Sequence, residues 1–239
     1  MKKQNNLLAG VTFLAEAGLN LFAILDCTTL PTTIRDMLLA SGVPLTDYPR
    51  LVLIGHGGRR MWTALQAWGM KTADPVDHYS MTLTRQFIQT YLHAPPVFWL
   101  YPNTPYLVSL QQLGRLAGWS HASPLGQGIH PVYGVWFAYR AAFLTTAELP
   151  VLTEPDQPSP CELCADKPCI RACPVGAVGV GKFDVDSCAH HRLRSYSRCA
   201  DRCLALMACP FFPGHQYTLP QIQYHYGRSL ATLRAWYSE

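Results

Sequence analysis

The chain has 239 residues, of which 49% are hydrophobic and 14% are charged, and its formal net charge is +4. This length and composition suit a globular protein with one large domain, or with one medium domain and a small one. The mild positive charge is no nucleic-acid signature by itself. We therefore expect no nucleic-acid partner.

The N-terminal stretch is basic and then apolar, so a membrane segment or a secretory signal has to be considered first. Glu16 and Asn20 interrupt the apolar run that a signal would need, and no cleavage site of small residues follows. No run of about 18 uninterrupted apolar residues occurs anywhere in the chain. We expect a cytoplasmic protein without a membrane span.

The first 150 residues alternate short apolar runs with segments of helical periodicity. The runs typical of buried strands are 19–25, 51–54, 97–101 and the aromatic-rich 132–144. The helical segments are 32–40, 59–68, 76–92 and 107–119, and the longest has apolar residues every three or four positions along one face. This pattern predicts an α/β domain over residues 1–150. Its expected core includes Cys27, Trp62, Trp68, Trp99 and Trp119.

Residues 150–160 carry four prolines and mark the predicted domain boundary. Proline fixes φ and removes a hydrogen-bond donor, so this stretch is expected to be a stiff linker. We assign residues 151–239 to a second, smaller domain, with a helix from Leu219 onward in its tail.

Cysteine is concentrated in that second domain. Of nine cysteines, only Cys27 precedes residue 160. The other eight are Cys161, Cys164, Cys169, Cys173, Cys188, Cys199, Cys203 and Cys209. Disulfides suit small secreted chains, whereas a protein in a reducing compartment uses such clusters for metal.

The spacing of the cysteines favours iron–sulfur clusters. Cys161 to Cys173 read Cys-x₂-Cys-x₄-Cys-x₃-Cys-Pro, which differs from the bacterial ferredoxin run only in its second gap. In ferredoxins the fourth cysteine of such a run binds the other cluster. The second group is spaced irregularly but also ends in Cys-Pro, at Cys209. We predict two [4Fe–4S] clusters with crossed ligation.

On this hypothesis Cys161, Cys164, Cys169 and Cys209 hold one cluster, and Cys173, Cys188, Cys199 and Cys203 hold the other. The alternatives are zinc, which also uses Cys-x₂-Cys pairs, one cluster with zinc or free thiols, and disulfides. Neighbouring arginines and lysines, among them Arg171, Arg192 and Arg202, would stabilise the negative charge of thiolate-bound clusters or dock an acidic electron donor.

One string upstream of the linker stands out, namely residues 128–140, Gly-Ile-His-Pro-Val-Tyr-Gly-Val-Trp-Phe-Ala-Tyr-Arg. Gly128 and Pro131 predict a turn with His130 at its apex, followed by an aromatic strand. A lone histidine is more often a satisfied core or loop residue than a functional one. Here the glycine, proline and aromatic neighbours of the histidine would also suit the wall of a pocket that contacts a large flat cofactor.

This string resembles the Ile-His-Pro-x-x-Gly-x-Trp-Phe-Ala-x-Arg stretch of CblC-type cobalamin-processing proteins. Residues 73–77 and 113–118 are similar to that family as well, so that the resemblance spans roughly residues 45–150. It implies a nitroreductase-like α/β fold that binds cobalamin. The residues implied in cofactor binding are His130, Tyr133, Gly134, Trp136 and Arg140.

The cysteine region is similar to the two-cluster ferredoxin module of epoxyqueuosine reductase and the reductive dehalogenases, which join it to a cobalamin-binding domain of the same fold. The gaps before Cys169, Cys203 and Cys209 depart from their pattern. The two resemblances together imply a nitroreductase-like cobalamin-binding domain with a small C-terminal ferredoxin-like domain.

The function implied is that of an oxidoreductase that passes electrons from a donor such as flavodoxin or ferredoxin, through two [4Fe–4S] clusters, to cobalamin. The corrinoid is either processed itself or reduces a separate small-molecule substrate. No position matches a catalytic acid of these reductases. The alternatives are an electron-transfer protein that binds no corrinoid, and a flavin-dependent reductase on the same scaffold.

Overall fold

The structure, a computed structural model, describes residues 2–237, with side chains described from residue 4. The chain divides into two compact units. The first runs up to Ser120 and resumes over Phe137–Gln157, and the second comprises His121–Trp136 and the chain from Pro158 onward. One crossing between units thus falls within the proline-rich stretch 150–160. The transfer of 121–136 to the second unit has no counterpart in the sequence pattern.

The first unit is an α/β structure whose elements follow one another closely in the chain. They are α1 (Lys2–Glu16), β1 (Leu21–Asp26), α2 (Thr32–Ala40), β2 (Arg50–Gly57), α3 (Arg60–Trp68), α4 (Pro75–Tyr91), β3 (Val97–Tyr101), α5 (Leu110–Leu116) and β4 (Phe137–Thr145). Short 3-10 helices span Cys27–Thr29 and Leu45–Asp47.

The strands form a sheet in the order β1-β2-β4-β3, and each adjacent pair is antiparallel. The central strand β2 is buried from Leu51 onward, and β4 is buried from Arg140 onward, with mostly apolar residues in both. The register slips between Ile54 and Gly55, where β2 faces β4. Leu152 bonds to Ile24 on the outer side of β1 and so extends the sheet beyond its edge.

The helices cover this sheet with close contacts. α4 packs on β4, and α1 packs against α4. A Cβ on Gly10 of α1 would lie 2.6 Å from the ring of Phe87 in α4, which is shorter than any ordinary contact. The glycine therefore allows the two helices to approach each other.

The second unit consists of short elements joined by turns. They are α6 (Pro168–Ala172), β5 (Val178–Gly179), β6 (Lys182–Phe183), α7 (Val185–Leu193), α8 (Leu204–Met207), a 3-10 helix at Pro213–His215, and the long α9 (Leu219–Tyr237). Strands β5 and β6 form a small hairpin. None of the helices described between residues 2 and 237 is long and apolar enough to cross a membrane.

Most predicted elements are present, some with different ends. Helix 32–40 and strand 97–101 have the predicted bounds, and the tail helix starts at Leu219 as expected. The predicted helix 107–119 contracts to α5. The predicted strand 132–144 starts only at Phe137, because a hydrogen-bonded turn occupies the residues before it.

Among the residues expected in the core, Cys27, Trp62 and Trp119 are buried. Trp68 is 46% exposed, so the prediction for this residue was wrong. Its place as the last residue of α3, where the helix ends at Gly69, explains the exposure.

Candidate metal centre

The eight clustered cysteines of the second unit fall into two groups by their electrostatic effect on one another. Cys209, Cys169 and Cys164 all raise the pKa of Cys161. Cys203, Cys173 and Cys199 all raise the pKa of Cys188. We refer to Cys161, Cys164, Cys169 and Cys209 as the first thiol set, and to Cys173, Cys188, Cys199 and Cys203 as the second thiol set. These are the two sets of the crossed hypothesis.

α6 connects one cysteine of the first set to one cysteine of the second. Cys169 is the second residue of this five-residue helix, and Cys173 follows its end. Although only three residues lie between them, Cys169 acts on first-set thiols and Cys173 on second-set thiols. The backbone of Cys173 is extended (φ −76°, ψ 115°), so the chain leaves the helix at this residue.

Burial is the largest cause of the raised thiol pKa values, and the neighbouring thiols add to it. The pKa of Cys161 and that of Cys188 rise to about 11. Burial likewise raises the pKa of Cys169, Cys199 and Cys209. Bound metal would supply the positive charge that favours the thiolate form of such thiols.

Backbone N–H groups point at several of the sulfurs. The Leu206 N–H donates to Cys203 Sγ over 3.4 Å. The N–H groups of Leu204 and Phe211 lower the pKa of Cys199 and Cys209 respectively, against the larger effect of burial. Hydrogen bonds of this kind favour the thiolate form and tune iron–sulfur clusters.

The second thiol set borders an apolar cavity of about 400 Å³, which Val178, Phe183 and Leu206 also line. Arg192 and Tyr226 face the same cavity. The fit to a cluster is therefore good for this set, which offers four soft donors around an apolar space. Within the part of the chain that the structure describes, no group of three or more His, Cys, Asp or Glu side chains could hold a metal ion as it stands.

His130 lies in the second unit, at the base of a turn rather than at its apex. Its backbone pairs with Gly134, and its Nδ1 accepts hydrogen bonds from the N–H groups of Val132 (3.0 Å) and Tyr133 (3.3 Å). Burial, assisted by His121 and His215, lowers the pKa of His130 to about 4, so the ring is neutral at pH 7. With Nδ1 accepting, the proton sits on Nε2, which presents a donor and not the lone pair of a metal ligand.

The other residues of the string hold this turn in place. Gly134 has a φ of +60°, and a Cβ there would lie 3.2 Å from the Phe211 carbonyl oxygen. Trp136 is 1% exposed and packs with Ile129 and Ile222 in the core of the second unit. Tyr133 is half-buried and its ring meets that of His215 edge-on at 4.7 Å.

Arg140 belongs to the first unit, on β4. It is buried, and its Nε donates to His56 Nδ1 over 3.0 Å. The structure thus places four of the five predicted cofactor-binding residues in one unit and the fifth in the other.

The first unit has its own polar cavity, of about 480 Å³, beside α4 and β3. Asp74, Asp77, His78 and Arg85 line it together with Trp99. Its volume lies within the ~300–1,000 Å³ range of small-molecule sites.

Sequence reasoning named Arg192 as one of several nearby cations but missed Tyr226. The hydroxyl of Tyr226 hydrogen-bonds the side chain of Cys203. The position of Arg192 four residues after Cys188 was a usable signal, because both lie on one face of α7. Nothing in the sequence near Tyr226 indicates its contact, which depends on how α9 packs.

Comparison with known proteins identifies a fold class shared by reductases and cobalamin-handling proteins. The sequence matches no protein-family model and no curated protein. Among solved structures, the chain is similar to epoxyqueuosine reductase and to the B12-trafficking protein CblC. Because all identities are below 15%, the similarity concerns the fold alone.

Three of these solved structures give the following measures of similarity. Epoxyqueuosine reductase bound to an epoxyqueuosine-modified tRNA-Tyr stem loop gives a TM-score of 0.59 at 14% identity, over 92% of this chain and 69% of the other. The Bacillus subtilis epoxyqueuosine reductase gives 0.58 at 13% identity, over 91% and 68%. CblC from C. elegans gives 0.52 at 13% identity, over 98% and 96%.

Proposed function

We propose that this protein is an iron–sulfur reductase that works on or with a corrinoid, and that its second unit carries two [4Fe–4S] clusters. The observation that carries the proposal is the division of eight cysteines into two sets of four, because three thiols of each set raise the pKa of the fourth, which is Cys161 in the first set and Cys188 in the second. Each set offers the four soft thiolates that one cubane needs.

Bound in the two sets, the clusters would supply one-electron transfer steps. The role of the chain is to hold the thiolates, to exclude water and to set the local charge. Cys169 and Cys199 are the most buried sulfurs, and the N–H donors from Leu204, Leu206 and Phe211 stabilise the ionised form of their partners.

The corrinoid part of the proposal is supported by the fold-level likeness to CblC and by the string around His130. His130 presents a donor rather than the lone pair of a metal ligand. We therefore derive no chemical step through cobalamin. At 14% identity we also carry no tRNA partner over from epoxyqueuosine reductase.

Single-ligand variants test the cluster proposal. We expect Cys169→Ser and Cys199→Ser, each made and purified without oxygen, to retain about four irons of about eight, because each removes a ligand of one set only. Cys27→Ser is the matched control, since Cys27 is a buried cysteine of the first unit whose thiol pKa is raised to about 12 mainly by burial. It should keep the full iron content. Zinc in place of iron, or full iron in both ligand variants, would contradict the two-cluster assignment.

A corrinoid titration tests the second part. We expect hydroxocobalamin to bind with a change in its absorbance spectrum, and Trp136→Ala and His130→Ala to weaken that binding. Because both side chains are buried, iron content serves as the folding check, and Val132→Ala, at an exposed position of the same turn, is the control. An absent cobalt-centred change would favour the electron-carrier alternative, and a bound flavin would favour the flavin enzyme.

A further inference from the structure

Arg192 places a buried positive charge beside the second thiol set. It is 8% exposed and donates only to neutral groups. These are the carbonyl oxygens of Cys199 (3.2 Å), Tyr226 (2.9 Å) and Ala200 (3.4 Å), and the hydroxyl of Ser229 (3.0 Å). No carboxylate of the described residues forms an ion pair with it. Its charge is therefore left to act on the sulfurs.

This charge lies close to two residues of the second thiol set. Arg192 follows Cys188 by four residues on the same face of α7, and its Nε donates to the carbonyl oxygen of Cys199 over 3.2 Å. A buried charge acts across a low effective dielectric and is screened much less by salt than an exposed one. Arg192 thus favours extra negative charge on the second thiol set.

Tyr226 adds a hydrogen bond to the same set. Its hydroxyl is bonded to the Cys203 side chain, and a phenol O–H can donate a hydrogen bond to sulfur. Its ring lies 4.9 Å from the Arg192 guanidinium carbon, a cation–π distance that fixes the two groups together. Both groups border the cavity that the second-set sulfurs line.

The first thiol set has no buried cation of this kind among the residues described. Lys167 donates to the Cys164 carbonyl oxygen over 3.1 Å and is half-buried. Arg171 is exposed and donates to the Asp166 carbonyl oxygen over 2.7 Å. Charges in contact with water are screened and have small effects.

We propose that Arg192 and Tyr226 raise the reduction potential of the cluster on the second thiol set above that of the cluster on the first. The inference rests on the proposed function, because it requires both clusters. Reduction adds one electron to a cluster whose thiolates already make it anionic, with no bond formed or broken. A nearby cation and a hydrogen bond to sulfur favour the more negative product. The cluster on the second thiol set would then be the first of the two to be reduced.

The test is an anaerobic redox titration with dithionite as reductant, followed by electron paramagnetic resonance. In the wild type we expect two one-electron transitions of different potential. Tyr226→Phe removes one oxygen and should shift the higher transition downward by about tenfold in its equilibrium constant, which is 59 mV for one electron. Arg192→Gln should shift the same transition at least as far, and Arg192→Lys, which keeps the charge, should shift it less.

Arg171→Gln is the matched control, because it removes an exposed arginine near the first set, and both transitions should stay in place. If Arg192→Gln does not fold, Tyr226→Phe decides the question alone. Two clusters with both potentials unchanged in Tyr226→Phe would overturn this inference and leave the proposed function standing. A wild-type protein without cluster signals would overturn the proposed function and this inference together.

Discussion

The two units of this chain differ in how their interiors are built. The first unit has a sheet whose central strands are buried on both faces, with Leu51, Leu53 and Phe143 fully inaccessible to solvent. The second unit has helices of four or five residues, such as α8 and α6, around two sets of thiols. The first unit has a large buried apolar core, whereas the proposed function makes bound metal part of the second.

Metal removal should give the largest difference between the units. We expect chelation of the purified protein to expose the second unit to trypsin at sites such as Lys182 and Arg194, while the first unit stays protected. Bound structural metal contributes its binding free energy to folding, ~10–16 kcal/mol in zinc-finger peptides. Limited proteolysis followed by mass spectrometry locates the cuts. Equal protection of both units after metal loss would break the comparison.

A large core truncation should act on the first unit only. Phe143→Ala removes a fully buried ring in the middle of β4 that packs 5.4 Å from the Trp99 ring. It should lower the free energy of unfolding of the first unit by about 3–5 kcal/mol, measured by urea denaturation, without loss of iron. Trp68→Ala, at a half-exposed position, is the control and should cost clearly less. Loss of iron in Phe143→Ala would show that the two units are not ordered independently.

Substitution by alanine at two helical glycines should change the stability of the protein in opposite directions. A Cβ on Gly10 meets the Phe87 ring, so Gly10→Ala should destabilise the first unit, because overpacking costs ~1–3 kcal/mol and exceeds the helix-propensity gain of ~0.5–1 kcal/mol. Gly227 in α9 has open space around its Cβ position, so Gly227→Ala should stabilise by that gain. Thermal melting of both variants gives the two signs. Stabilisation by Gly10→Ala would mean that α1 lies farther from α4.

The smallest expected effect is a loss of stability of the first unit at low pH, through Asp26. Hydrogen bonds from Thr28, together with Arg50, hold the pKa of Asp26 below its ordinary value of 3.8. A lowered folded-state pKa contributes stability above the unfolded pKa, and this contribution is lost as the pH falls through the folded value. When the pH is lowered below 4, the urea concentration at the unfolding midpoint of the first unit should therefore decrease slightly in the wild type. The drop should be smaller in Asp26→Asn, and an identical pH profile in both would remove this role from Asp26.

The bounds of helices and strands were predicted best from the sequence where the local residue pattern agrees with the tertiary fold. Strand Val97–Tyr101 and helix Thr32–Ala40 are bounded by prolines or turns, and their ends were predictable. The strand predicted from residue 132 failed for its first five residues. Its aromatic composition is typical of a strand, but Gly134 at positive φ and the His130–Gly134 pairing impose a turn.

For the site, the spacing of the cysteines was enough to propose the two thiol sets, because the candidate ligands can be read directly from the sequence. The surroundings of those sets could not be predicted from it. The contact of Tyr226 with Cys203 joins residues 23 positions apart through the packing of α9, and the split of the His130 string between two units follows from long-range packing. Sequence periodicity carries no information on either.

The most direct test of the account is the iron and acid-labile sulfide content of the anaerobically purified wild-type chain. Two [4Fe–4S] clusters predict about eight irons and about eight sulfides per chain. One or two zinc ions per chain without sulfide, or disulfides among the eight cysteines, would contradict it.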